Sequence, residues 1–392
     1  MVGEVAYSGS LTMVILHQKL ARLKRLLRNG ITDFLRLPTA RFTQLGPPSG
    51  LFSALDELRS GSFTTICDGA ILAEAQMSPK SPPDSIIAKS GLNQDEEQPY
   101  PVFWCRMEHV RLVGSGPVPL NARKQACVEA LTSPKFARFS SDYNYLTLPK
   151  PTVLSGNWTS LDDPGFGSKA FYHWIHDCLP KLALVEHFPK DTLILLSNPE
   201  VPFKRQLLEF LGLWDRIRPA EHRHYLAEHY YMAPPMAVTG CYNPMGVQYL
   251  RDLVLPRVLP LPKRAPERVF LTRRGAWRGI TNLASVENFF SRRGWLVFDA
   301  GTHGIMEQIR ILAGAREVCG VHGAALANLL WCPSNAKVTE LFPDSNLNGC
   351  YEVLANTIGL EYSAMIFPSG PEHQIIVDLK ALAERLDAVQ TR

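Results

Sequence analysis

From residue 268 onward, short apolar runs alternate with segments whose apolar residues recur at every third and fourth position. The runs at 268–272, 295–298, 317–321, 337–342 and 361–367 predict strands, and the segments at 285–293, 305–315, 324–331 and 350–358 predict helices. Strands that alternate with helices at this spacing predict a parallel, doubly wound sheet. Such sheets take ligands beyond the carboxyl ends of their strands, where Arg273, His322 and Pro343 fall. Residues 371–389 predict a closing amphipathic helix with Leu379, Leu382, Ala383 and Leu386 on one side.

The pattern is less regular earlier in the chain. Residues 192–197 predict a short buried strand, 203–211 a helix, and 230–233 a further strand. Pro256, Pro260, Pro262 and Pro266 crowd a segment that should neither continue a helix nor join a central strand, so it predicts an interdomain linker. Residues 1–100 are weakly patterned, with Pro and Ser collected at 46–49 and 78–84. The organisation expected is an N-terminal extension over 1–100 with a flexible loop near 78–100. An α/β domain over 101–262 follows, then a second over 263–370 and a terminal helix over 371–392.

At 392 residues the chain is long for one core, and 46% apolar with 20% charged residues is a globular balance. The net charge of +4 and the absence of basic runs interleaved with aromatics give no sign of nucleic-acid binding. Eight cysteines without a CxxC pair disfavour zinc ribbons and thioredoxin-type sites, and read as reduced core thiols. No apolar run reaches the length of a membrane span, and residues 1–16 do not form a convincing signal peptide. Met13, Leu16, Leu20, Leu23 and Leu27 lie at helical spacing among five basic residues. Residues 11–28 are therefore either a packing helix or a peripheral contact with an anionic membrane. A cytoplasmic location is expected.

Two places carry candidate chemistry. At the first, a strand ends in His322-Gly323-Ala324 and a small-residue segment follows, a turn that lets backbone approach an anion. Arg273, Arg274 and Arg278 follow another strand end, and guanidinium groups pair with phosphate through two parallel hydrogen bonds. Glu340, inside an apolar strand, needs a partner: ribose hydroxyls, or one of the arginines. At the second, His173 and Asp177 are four apart and share a helix face, where a carboxylate and an imidazole can take a proton from a hydroxyl. Trp174 beside them is a plate for a sugar ring or for a neighbouring helix, and 157–169 reads as a loop at a cleft. There is no P-loop, no GxGxxG, no G-x-S-x-G, no HExxH and no Asp-x-Asp. A divalent metal clamp on a diphosphate is therefore not indicated.

Taken in order, these motifs resemble glycosyltransferase family 61. The carriers are His173-Trp174…Asp177-Cys-Leu-Pro180, Thr272-Arg273-Arg274…Arg278…Asn282, Glu307-Gln308, His322-Gly-Ala-Ala-Leu-Ala-Asn328 and Glu340-Leu-Phe-Pro343. Leu283 departs from the pattern, which has Glu there, and nothing in 1–150 matches. The resemblance implies a GT-B-like α/β fold, two Rossmann-like domains facing across a cleft. It implies inverting, metal-independent transfer from a nucleotide-sugar donor to a glycan acceptor in surface or capsular polysaccharide synthesis, with no cofactor. Asp177 would be the base that deprotonates the acceptor hydroxyl, with His173 orienting it or serving as the base itself. Arg273, Arg274, Arg278, His322, Gly323 and Ala324 would hold the donor diphosphate, and Asn328 and Glu340 would shape the donor site. Two other readings of the same residues are a non-catalytic sugar-nucleotide or glycan binding protein on this fold, and a sugar-phosphate isomerase or epimerase.

Overall fold

The computed structural model describes residues 44–45, 50–73, 85–90, 101–114, 116–130, 147–162, 170–261, 265–275 and 278–390. The basic amphipathic segment at 11–28 and most of the 78–100 loop lie outside the described residues. The strands in chain order are β1 (Gln44–Leu45), β2 (Gly50–Phe52), β3 (Ile66–Ala73), β4 (Val102–Val113), β5 (Val118–Leu120), β6 (Gln125–Cys127), β7 (Thr147–Leu148) and β8 (Thr152–Ser160). They continue as β9 (Leu193–Leu196), β10 (Ile217–Pro219), β11 (His224–Met232), β12 (Arg268–Leu271), β13 (Leu296–Phe298), β14 (Glu317–Val321), β15 (Lys337–Pro343) and β16 (Glu361–Phe367).

The protein is mixed α/β, built on two main sheets. The first runs β10-β9-β8-β11-β4-β5-β6-β2, with β3 added on β4. Strands β10, β9, β8 and β11 are mutually parallel, whereas β4 is antiparallel to β11, β3 and β5. The second sheet is wholly parallel, in the order β13-β12-β14-β15-β16, as its alternating pattern predicts.

Strand alternation sorts the second sheet's side chains into two cores. Val269, Leu271, Val318 and Val338 face a large core shared with the first sheet's helices, while Phe270, Cys319, Val321 and Leu341 face a smaller one. Helices Ile305–Gly314 and Cys350–Ile358 cover the first face. Helices Leu283–Arg292 and Leu379–Gln390 cover the second, through Val286, Phe290, Leu382 and Leu386. By the same parity, Gly320, His322 and Glu340 point toward the shared core, and this sets the geometry of the site.

Several local expectations change. Helix Pro244–Val258 runs through Pro256, where the proline-dense segment predicts no helix. The proline sits in the last turn, so its missing N–H costs one hydrogen bond and leaves the turns before it intact. Asn243 caps the start of this helix, accepting from Met245 N and Gly246 N. A Cβ on Gly246 would lie 2.9 Å from both Pro180 Cβ and Met236 Sδ, so the helix rests directly on the segment that follows Asp177. Residues 157–160 belong to β8, not to a loop, and 163–169 lie outside the described residues. Residues 324–331 wind as a 3₁₀ helix. The predicted closing helix is a 3₁₀ turn at Pro371–His373 followed by Leu379–Gln390.

Candidate active site

In the second sheet β13 lies on one side of β12 and β14 on the other, so the winding reverses between β12 and β14. A crevice opens at the carboxyl ends of such a pair. Arg273 follows β12 and His322-Gly323 follows β14. Arg273 Nη1 donates to the His322 carbonyl at 2.7 Å. A Cβ on Gly323 would overlap the guanidinium, with Arg273 Cζ only 2.9 Å away. Glycine is therefore what lets Arg273 lie across the turn. Burial lowers the Arg273 pKa, and the neighbouring charge of Arg278 lowers it further, so cationic charge is gathered here.

His322 is oriented from behind. Its Nδ1 is 2.6 Å from Glu340 Oε1, while Tyr362 Oη donates to Glu340 Oε2 at 2.6 Å. Glu340 is fully buried. Burial pushes its carboxyl pKa up, and the His322 and Tyr362 hydrogen bonds oppose that shift. Both carboxylate oxygens are engaged inside the protein, and Glu340 backs His322. With Nδ1 engaged in this way, Nε2 is the ring's remaining hydrogen-bonding edge. The His322 ring stacks on Phe342 at 5.1 Å.

The other residues expected here divide. Ala324 opens the 3₁₀ helix after Gly323. Asn328 is fully buried, its amide donating to Gln308 Oε1 at 2.8 Å and to Ala325 O at 3.1 Å. Gln308 in turn donates to Ala300 O and His303 O, so this pair braces the turn from within. Arg274 turns away to form a two-point ion pair with Glu287, at 3.0 and 3.2 Å. Arg278 has left-handed backbone (φ 63°), and its N–H donates to Glu372 O.

His173 and Asp177 sit where an α-turn (Phe171–His173) passes into a π-helix (Trp174–Cys178), a rare local form frequent at functional sites. His173 Nδ1 lies 2.7 Å from Asp177 Oδ2. Thr239 Oγ1 donates to the same oxygen at 2.8 Å. With Thr239 donating, the imidazole Nδ1–H is the second donor, and the basic lone pair is on Nε2. The side chain of Asp177 is 1% exposed and that of His173 25%, so the carboxylate is inside and the imidazole outermost. Trp174 is buried against Phe203, with Lys204 Nζ 5.8 Å from its ring, and so is a packing residue. Asp162 is also internal, accepting from Ser197 N and lying 3.8 Å from Lys204 Nζ; burial raises its carboxyl to about 6.

Contacts join the two motifs. His176 Nε2 is 3.1 Å from Ala327 O, Tyr351 Oη donates to Gly323 O at 2.8 Å, and Tyr351 meets Tyr172 edge-on at 5.8 Å. Arg251 Nη1 donates to Leu330 O and Cys332 O at 2.5 and 2.8 Å. Sequence reasoning missed Thr239, Tyr351, Tyr362 and Arg251. Each is distant along the chain from the motif it serves, and none has a signature spacing. Among the described residues no group of three or more His, Cys, Asp or Glu side chains is arranged to hold a metal ion.

A strand-end arginine thus crosses a glycine turn, and that turn is tied through Ala327 O to the helical segment on which a buried carboxylate backs a partly exposed imidazole. The family model described as glycosyltransferase 61 matches residues 171–339. Over that stretch the protein is similar to family 61 glycosyltransferases, and the match indicates a glycosyltransferase. The match starts at the turn that carries His173 and ends beside Glu340, so it takes in both motifs. No curated protein matches the chain. Among the described residues no helix is long and apolar enough to cross a membrane.

Proposed function

We propose that the protein is an inverting glycosyltransferase that moves a sugar from a nucleotide-sugar donor to a glycan acceptor without a metal. In this reading the two sheets are the halves of a GT-B arrangement, with the donor on the second half and the acceptor on the first. His173 Nε2 takes the proton of the acceptor hydroxyl while Asp177 holds the ring and stabilises the imidazolium. The acceptor oxygen attacks the anomeric carbon as the bond to the diphosphate oxygen breaks on the opposite side. Arg273 and the Nε2 edge of His322 meet the negative charge that develops on the leaving diphosphate. Arg278 adds charge nearby, and Arg274 acts at most from a distance. Glu340, Tyr362, Asn328 and Gln308 hold the turn without touching the donor. A surface or capsular polysaccharide as acceptor rests on the family resemblance alone.

The observation that carries this reading is the 2.7 Å His173–Asp177 pair, with the carboxylate buried and the imidazole outermost. A buried acid behind an accessible imidazole is the arrangement of a general base with its orienting partner. The test begins with thermal-shift screening against UDP-, GDP-, CMP- and dTDP-sugars, followed by NMR of the product formed from the stabilising donor. The expected product has the anomeric configuration opposite to that of the donor. A product of retained configuration refutes the single-displacement step.

A further inference from the structure

One motif lies on the helical segment 171–178 and the other on the turn after β14, yet a closed ring of contacts ties them together. His176 belongs to the π-helix that carries Asp177 but points elsewhere. His173 meets Asp177, whereas His176 is buried between Tyr172 (5.0 Å between ring centres) and Tyr242 (4.9 Å, edge-on). Its Nε2 reaches Ala327 O at 3.1 Å. Ala327 lies on the 3₁₀ helix that starts directly after Gly323. At the other end of that turn the Gly323 carbonyl accepts from Tyr351 Oη at 2.8 Å. Tyr351 is buried against Tyr172 at 5.8 Å and against His322 at 5.5 Å. Tyr172 neighbours His173 in the chain and donates to, or accepts from, Tyr242 at 3.0 Å.

We propose that His176 and Tyr351 are positioning residues that fix the His173–Asp177 pair against the Gly323 turn, so that base and leaving group keep a set separation. The role rests on the function proposed above. A carbonyl such as Ala327 O can only accept, so the ring nitrogen 3.1 Å from it is the donor, the Nε2–H of a neutral imidazole. Burial supports that state by pulling the His176 pKa down to about 3. The alternative, that His176 is only core filling, is served equally well by an apolar ring or chain of similar size.

The discriminating pair of variants is His176→Leu, which removes the donor, and His176→Gln, which keeps a side-chain N–H. Both are assayed with the donor identified by the nucleotide-sugar panel, following kcat, donor KM, and the ratio of transfer to donor hydrolysis. Misplacement by about 1 Å is enough for roughly a 10²-fold rate loss. His176→Leu is therefore expected to lower kcat at least about tenfold, leave donor KM within about twofold, and raise the share of hydrolysis, with Gln restoring most of kcat. Tyr351→Phe keeps the ring packing and removes only the bond to Gly323, so it covers the case in which His176→Leu does not fold. It is expected to show a smaller effect with the same kcat-over-KM signature. Wild-type kcat and partition in folded His176→Leu or Tyr351→Phe, or equal loss in the Gln and Leu variants, overturn the proposal. If Asp177→Asn also keeps turnover, the base assignment itself is at fault. If Asp177→Asn is dead while His176→Leu is normal, only the positioning role fails.

Discussion

Gly323→Ala isolates the anion site from the rest of the fold. The backbone at Gly323 is extended (φ 168°, ψ 176°), which any residue adopts, so alanine brings no conformational strain. The cost is steric and lies in one place. The new Cβ would overlap the Arg273 guanidinium, whose Cζ lies 2.9 Å from the position the methyl carbon takes. A guanidinium is the end of a flexible side chain, so it swings aside and the protein still folds. It then loses the 2.7 Å bond to His322 O and its place across the turn. A hydrogen bond to a charged group is worth about 1.5–3 kcal/mol, equivalent to roughly 10- to 150-fold in affinity. The assay is calorimetric titration of the nucleoside diphosphate selected by the sugar panel, with melting temperature as the folding control. Arg273→Ala alone is expected to lose a similar amount. In the double variant the two losses do not add, because Gly323→Ala acts only through Arg273. Additive losses, or unchanged affinity in folded Gly323→Ala, refute the reasoning.

Glu340→Gln keeps the side-chain volume and removes the charge behind His322. Diphosphate affinity is expected to fall about tenfold while the product anomer is unchanged, and a binding isotherm that matches wild type argues that Glu340 is structural only. Arg274→Ala is expected to change donor affinity by about twofold or less, since an exposed ion pair with Glu287 contributes little; a tenfold loss would return Arg274 to direct donor contact. His176 titrates near 3 when folded against 6.5 when unfolded, so its protonation favours the unfolded chain. Its contribution is intact above pH 6.5 and declines as pH falls toward 3, by about 1.4 kcal/mol per pH unit, or roughly 2 kcal/mol at pH 5. Urea midpoints at pH 7 and pH 5 should therefore diverge less in His176→Gln than in wild type. Tyr172, Tyr242 and His173 around it, and the opposite raised shift of Asp162, are common to both proteins. Equal pH dependence in the two counts against a neutral buried His176.

The second half was legible because its physics is periodic. Five apolar runs at βα spacing give a parallel sheet, and the carboxyl-edge rule puts Arg273 and His322 on the same edge of it. The first sheet was not legible in this way. Strand β4 alternates from Phe103 to Met107 and again from Val110 to Leu112, but the phase slips across Glu108-His109, where His109 has left-handed backbone (φ 47°), so no single period runs through it. It also exchanges partners along its length, pairing with β3, β11 and β5. Pro256 shows a local rule overridden by position, since a helix tolerates proline in its final turn. At the site, the spacing of His173 and Asp177 was readable, but which group lies outermost was not. That depends on Thr239, a residue from an irregular segment that donates to the buried carboxylate. The direction of Glu340 was equally hidden. Its sequence position offered ribose hydroxyls or an arginine as partners, whereas it meets His322 after β14 and Tyr362 on β16.

The most direct measurement is turnover and nucleotide binding by Asp177→Asn, on the same preparation. Asn leaves the fold and the Arg273–Gly323 turn in place but cannot hold the imidazole in its basic tautomer. The account predicts nucleoside diphosphate affinity close to wild type and a kcat lower by about 10²–10⁴-fold, the range for loss of general acid–base catalysis. Wild-type turnover in the folded variant would contradict it.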